Sequence, residues 1–178
     1  MSSGDWTVSV PSDQSAVSAS PTKGYASRSV AMKSTLSIAP NYDSTSRKIP
    51  VTVQSAHFKS DAETPNLKKV INIQQPGYTF KVGGKIIGYD LELGPAELVD
   101  ASIPVSCSGE WEVKKSAETW LSVEKNTNGT AIEYSVDSNK SDGKKDTSDR
   151  EAVITVSTTD GSGKVIKITV KQSGEKAK

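Results

Sequence analysis

Two groups of side chains in this sequence have the types and spacing to bind something. The first is aromatic. Trp120 alternates out of phase with Leu121 and Val123, and Tyr25, Tyr42 and Phe58 lie in turn-rich stretches between apolar runs, so all four are candidate surface rings. A flat ring accepts the apolar side of a pyranose and planar polar neighbours accept its hydroxyls, so glycan binding is the chemistry they suggest. The second group consists of oxygen donors. Asp137, Asn139, Ser141 and Asp142, followed by Asp146 and Asp149, are spaced as a calcium loop requires. Against that reading, Gly143 is one position late for an EF-hand, Ser148 stands where a glutamate closes such a loop, and Lys140, Lys144 and Lys145 dilute the charge. The same stretch also reads as a solvated connection rich in turn formers.

Catalysis has little material. His57 is the single histidine and Cys107 the single cysteine, expected as a buried thiol. No nucleophile elbow, phosphate loop or metal-spaced His/Cys cluster is present, so the chain is expected not to be an enzyme, and calcium is the sole cofactor considered. A lone cysteine also excludes an internal disulfide, leaving packing to hold the fold. With 22 basic against 21 acidic residues the net charge is +1, too small a field to gather nucleic acid. No apolar stretch is long enough to span a bilayer, so no membrane insertion is expected; the N-terminus shows no positive segment followed by an apolar one, so the expectation is either a cytosolic protein or a mature fragment from which an export signal has been removed.

The elements that must position these groups are strands. In the second half, odd and even positions separate over six runs: Ile103 to Cys107, Trp111 to Val113, Leu121 to Val123, Ile132 to Val136, Ala152 to Val156, and Ile166 to Val170. That period belongs to half-buried strands, and turn formers such as Asn126 to Gly129 and Asp160 to Gly163 separate them. Pro95 to Asp100 reads as one helical turn at most. A hydrophobic content of 34% and a mean hydropathy of −0.47 suit sheets with one solvated face.

The first half repeats the second. Ser3-Gly4-Asp5-Trp6 returns as Ser108-Gly109-Glu110-Trp111, Arg47 with Val51-Thr52-Val53 returns as Arg150 with Ile154-Thr155-Val156, and Gln75-Pro76-Gly77 returns as Gln172-Ser173-Gly174. The period is about one immunoglobulin-sized sandwich, so the expected fold is all-β, with two tandem immunoglobulin-like β-sandwich domains. Trp6 and Trp111 then face their cores. The expected boundaries are 1–77 for the first domain, 78–94 for a linking β-hairpin around Gly83-Gly84, and 95–178 for the second. The strand Ile103 to Cys107 has no counterpart before Ser3. Either the sequence begins after that strand, or residues 78–93 supply it by pairing with the first domain's open edge.

The order Gly-acid-Trp, Trp120-Leu121-Ser122-Val123, Asn139, Arg150, and Ile168 to Gly174 resembles the BACON domain, a Bacteroidetes-associated carbohydrate-binding module that is often N-terminal. The resemblance covers Glu97 to Gly174. In the first copy Trp6, Asn41, Arg47, Gln75 and Gly77 fit, whereas Ala16-Val17-Ser18-Ala19 replaces the Trp120 block. The resemblance implies an exported, surface-displayed part of a larger bacterial protein, associated with glycan or mucin adhesion or holding another domain away from the membrane. It brings no binding residue with it. A different reading, from the hairpin and the incomplete first domain, is a protein-binding adhesin or assembly subunit that uses β-strand addition.

Overall fold

The computed structural model describes residues 5–25, 32–55, 68–140 and 147–176, and every regular element among them is a β-strand. The chain divides into two compact units, Met1–Tyr78 and Thr79–Lys178. Both are built as sheet faced on sheet, so the architecture is all-β. Among the described residues no helix is long and apolar enough to cross a membrane.

The second unit contains β7 (Phe80–Val82), β8 (Tyr89–Leu93), β9 (Leu98–Cys107), β10 (Trp111–Lys115), β11 (Leu121–Lys125), β12 (Ala131–Val136), β13 (Arg150–Thr158) and β14 (Val165–Gln172). One sheet has the order β10-β13-β14-β8 and the other β11-β12-β9-β7. Alternate residues of both turn inward: Ala152, Ile154 and Val156 on β13, Ile166, Ile168 and Val170 on β14, and Ile132, Tyr134 and Val136 on β12 are all buried. These are the positions that the period of two selects.

Residues 78–94 differ from expectation. The Gly83-Gly84 turn is present, with φ of 58° and 77° that suit glycine. Its two arms part, however, and join opposite sheets of the second unit. β7 pairs antiparallel with β9 (Phe80↔Cys107, Val82↔Val105), and β8 runs parallel to β14 (Ile168↔Tyr89, Gln172↔Leu93). Closeness along the chain favours the β7–β9 pairing, since only β8 and its short flanks separate the two strands. Of the stretch Pro95 to Asp100, expected as one turn at most, Leu98 to Asp100 are instead the start of the ten-residue β9. Asp100 adopts φ 54°, which aspartate tolerates, donates its N–H to Ser135 Oγ at 3.1 Å, and sits at a register shift against β12. Cys107, expected buried, is half-buried at the end of the same strand.

Lys171 fastens β8 from outside, with Nζ 2.5 Å from Asp90 Oδ2 and 3.8 Å from Glu92 Oε1. The hydrogen bond from Lys171 holds the Asp90 carboxyl below its ordinary range. A depressed carboxyl contributes stability that is present above its unfolded value and is lost as pH falls through the folded one. Thermal melts below about pH 4 are therefore expected to decline more for the native chain than for Asp90→Asn, which has no carboxyl to protonate. The difference should be small beside that of a core substitution, since this pair is exposed.

The first unit contains β1 (Trp6–Ser9), β2 (Val17–Ser20), β3 (Lys23–Gly24), β4 (Thr35–Ile38), β5 (Arg47–Ser55) and β6 (Lys68–Gln75). Its sheets are β3-β1-β5-β6 and β2-β4. Val8, Val17, Ile49 and Val51 form the buried centre, with Trp6, Leu36, Val53 and Ile73 packed around it.

Candidate functional site

The repeated letters of the two halves build the same polar corner twice. In the second unit, Arg150 lies opposite Gln172 in the β13–β14 register. Its Nε donates to Gln172 Oε1 at 2.8 Å and its Nη2 to the Asp137 carbonyl at 2.6 Å. Gln172, 1% exposed, donates from Nε2 to the carbonyls of Ala96 at 3.3 Å and Asp137 at 3.1 Å. Asn139 Nδ2 then ties the carbonyls of Ser148 and Ser173 at 2.9 and 3.2 Å. The first unit reproduces this apart from the Gln172–Ala96 bond, with Gln75 Nε2 donating to the Ala39 carbonyl at 3.1 Å. Arg47 Nε donates to Gln75 Oε1 at 2.7 Å, Arg47 Nη2 to the Ala39 carbonyl at 2.7 Å, and Asn41 Nδ2 to the carbonyls of Thr45 and Pro76 at 2.9 and 2.8 Å. Gly77 and Gly174 close the two corners where a Cβ would strike the carbonyl oxygens of Ser44 and Thr147. The corner satisfies buried backbone and amide groups, which is a structural task.

That task claims several candidate binding residues. Trp120 is half-buried, and the Arg150 guanidinium covers one ring face with Cζ 4.4 Å from the ring centroid. Asn139 and the Asp137 carbonyl serve the corner, so neither is held ready for a cation. Among the described residues no group of three or more His, Cys, Asp or Glu side chains could hold a metal ion. Phe58, Ser141 and Asp142 lie outside the described residues. In the first unit Tyr42 packs edge-on against the buried Tyr78, with centroids 5.8 Å apart, while Tyr25 is 68% exposed.

Open space lies elsewhere. A polar recess of about 290 Å³ beside Trp111 is lined by Cys107, Glu110, Lys125 and Asn128, but the indole is buried. Lys125 Nζ sits 4.6 Å from the Trp111 ring centroid, and the indole N–H donates to the Gly129 carbonyl at 3.0 Å. The larger space is a cavity of about 710 Å³ in the first unit, lined by Trp6, Val8, Met32, Val53, Lys68 and Lys69 among others. Sequence periodicity assigned Trp6 to a closed core; here the ring is half-buried and borders the cavity. No local signal could have shown this, because the covering that a ring receives comes from elsewhere in the fold.

Residues 110–173 match the BACON family, described as "Putative binding domain, N-terminal". The matched stretch runs from β10 to the end of β14 and holds Trp120, Asn139, Arg150 and Gln172. A comparison with curated proteins found no match. Among solved structures, the chain is similar to protocadherin gamma B7 extracellular cadherin domains 1–4, at 10% identity and a TM-score of 0.42 over 94% of this chain and 41% of that one. It is similar to a Porphyromonas gingivalis W83 protein of unknown function at 15% identity and a TM-score of 0.35, over 97% and 86% of the two chains. It is also similar to the zebrafish RET cadherin-like domains 1 to 4 at 13% identity and a TM-score of 0.37, over 97% and 39%. The chain thus spans about two fifths of the length of the cadherin-type structures. Similarity of this order identifies neither a family nor a function.

Proposed function

We propose that the chain is a non-catalytic adhesion module of a protein displayed outside the cell, built of two BACON-like units. Residues 79–178 form a closed spacer and residues 1–78 make the contact that the module exists to make, in the service of glycan or mucin adhesion by a larger protein. The two-copy reading is supported by the recurrence of the Arg–Gln–Asn corner on corresponding residues, which chance similarity of short motifs does not produce. The observation that carries the assignment of roles is the state of Trp120. A pyranose needs a bare aromatic face, and Arg150 takes a face of Trp120, the candidate ring of the second unit.

The test is a glycan and mucin array probed with the full chain and with Trp120→Ala. Trp120→Ala is expected to lower the stability of residues 79–178 by about 1–2 kcal/mol through the lost cation–π stack and ring contacts, and to leave every array signal unchanged. A saturable glycan signal that disappears in the folded variant would make the second unit the lectin and overturn the spacer assignment.

A further inference from the structure

The turn that carries the chain from β7 to β8 puts two isoleucines into solvent. Val82 and Lys85 exchange backbone hydrogen bonds of 2.9 and 3.0 Å around Gly83 and Gly84, so the hairpin ends after one pair. β8 then starts in the other sheet, and residues 86–88 make the crossing. Ile86 and Ile87 are each 70% exposed. Val165, 54% exposed, stands at the same end of the sheet, because Tyr89 runs parallel beside Ile168 and Gly88 lies against the Lys167 carbonyl.

The two isoleucines have no task in the fold. The core beside them is closed without them, with Val82, Ile103, Ile166 and Ile168 all buried. The crossing is also held firmly. A Cβ on Gly83 would come within 2.5 Å of Tyr89 Oη and one on Gly88 within 2.7 Å of the Lys167 carbonyl oxygen, so the backbone sits tight on its neighbours, and Lys85 Nζ lies 4.3 Å from the Tyr89 ring centroid. The result is a preformed, convex apolar prong. Its surroundings are cationic: Lys81, Lys85 and Lys167 are exposed, Lys164 precedes Val165, and no acidic residue occurs in 79–89 or 161–170. The acids that bound these stretches are engaged, Asp90 by Lys171 and Asp160 Oδ1 by the Ser162 N–H.

An apolar prong flanked by cations matches a surface that is negatively charged outside and hydrocarbon just beneath. We propose that residues 79–178 rest on an anionic lipid surface through this prong, with Ile86 and Ile87 entering the boundary between headgroups and acyl chains and the lysines facing lipid phosphates. Such contact needs no spanning segment, since two side chains alone leave the water. A second copy of this chain is a poor occupant. Prong against prong would set lysine against lysine, and a handful of side chains buries far less than the roughly 1,200 Å² of a stable interface. An extended or helical peptide needs a sheet edge or a groove, and a convex turn offers neither. The seat goes beyond the adhesion reading: it fixes the spacer at a surface whichever ligand residues 1–78 take.

The test is flotation of the full chain with vesicles of phosphatidylcholine alone and of phosphatidylcholine mixed with phosphatidylglycerol, at low and at physiological salt. Saturable binding to the mixed vesicles is expected, weakening as salt rises. Ile86→Ser with Ile87→Ser should weaken it by about tenfold or more, and Lys85→Gln with Lys167→Gln by about tenfold. Both pairs should leave Tm nearly unchanged, because the replaced side chains are exposed. Val99→Ser, which removes an exposed apolar side chain from β9, should bind as the native chain does. The proposal is overturned if neither vesicle binds, if neutral vesicles bind equally, or if Val99→Ser is as damaging as the serine pair. Full binding by the serine pair would also overturn it, leaving adsorption by charge alone. Concentration-dependent dimers that the serine pair abolishes, without vesicle binding, would assign the prong to a second copy instead.

Discussion

Ile168→Ala is expected to destabilise residues 79–178 by about 2–5 kcal/mol, whereas Ile71→Ala, at the corresponding position of β6, is expected to cost residues 1–78 about 1 kcal/mol or less. Both isoleucines occupy the same place in the same register, opposite Ile154 and Val51. They differ in what lies around them. Ile168 is fully buried, on a strand flanked by β13 on one side and β8 on the other, so truncation removes a buried side chain and leaves a cavity. Ile71 is nearly half exposed on an edge strand, so much of its transfer free energy was never gained and solvent fills the space it vacates. Denaturant titrations fitted to two transitions measure both costs, since each unit has its own core. Equal costs would mean that Ile71 is as fully covered in solution as Ile168.

The contrast also marks how far the sequence alone could reach. The inward sets of β12, β13 and β14 were legible because each of those strands has one buried face, so the period of two is written in Ile, Val and Ala. Pairing partners were less legible. Tyr89-Asp90-Leu91-Glu92-Leu93 alternates cleanly, yet nothing in those five residues says that they lie parallel to β14 and are clasped by Lys171, more than seventy residues away. Leu98-Val99-Asp100 read as part of a turn because an aspartate at positive φ is a device of tertiary context, here a bulge against β12. For the candidate site, the residue types were visible and their occupation was not. The phase of Trp120 marks it as a candidate surface ring; the structure leaves it half-buried, and the arginine that covers one face is thirty positions on and is brought over it by the β13–β14 corner. Conversely, the repeated Arg, Gln, Asn and Gly were visible as letters, while their task required the register that sets Arg150 opposite Gln172.

The second large effect follows from that task. Arg150→Ala is expected to lower the stability of residues 79–178 by about 2–3 kcal/mol, a fall in Tm of roughly 10–15 °C for a unit of this size. The loss has two sources. Gln172 Oε1 sits on a residue that is 1% exposed, and without the Arg150 Nε–H donor that acceptor is left buried and unsatisfied, while Gln172 Nε2 still reaches Asp137 and Ala96. Trp120 also loses its guanidinium cover. Arg150→Lys should recover little, because the corner uses two donors of a planar fork, directed at Gln172 and Asp137, while an ammonium is a single point of charge. Arg47→Ala should cost residues 1–78 less: Gln75 is only half-buried, and no tryptophan stands at the place of Trp120. That ordering, Arg150 above Arg47 with lysine failing to rescue, is what a structural corner requires. If Arg150→Ala instead leaves the melt unchanged and abolishes binding to a glycan, the repeated arginine is a ligand contact, and the residues shared by the two units exist for recognition and not for folding.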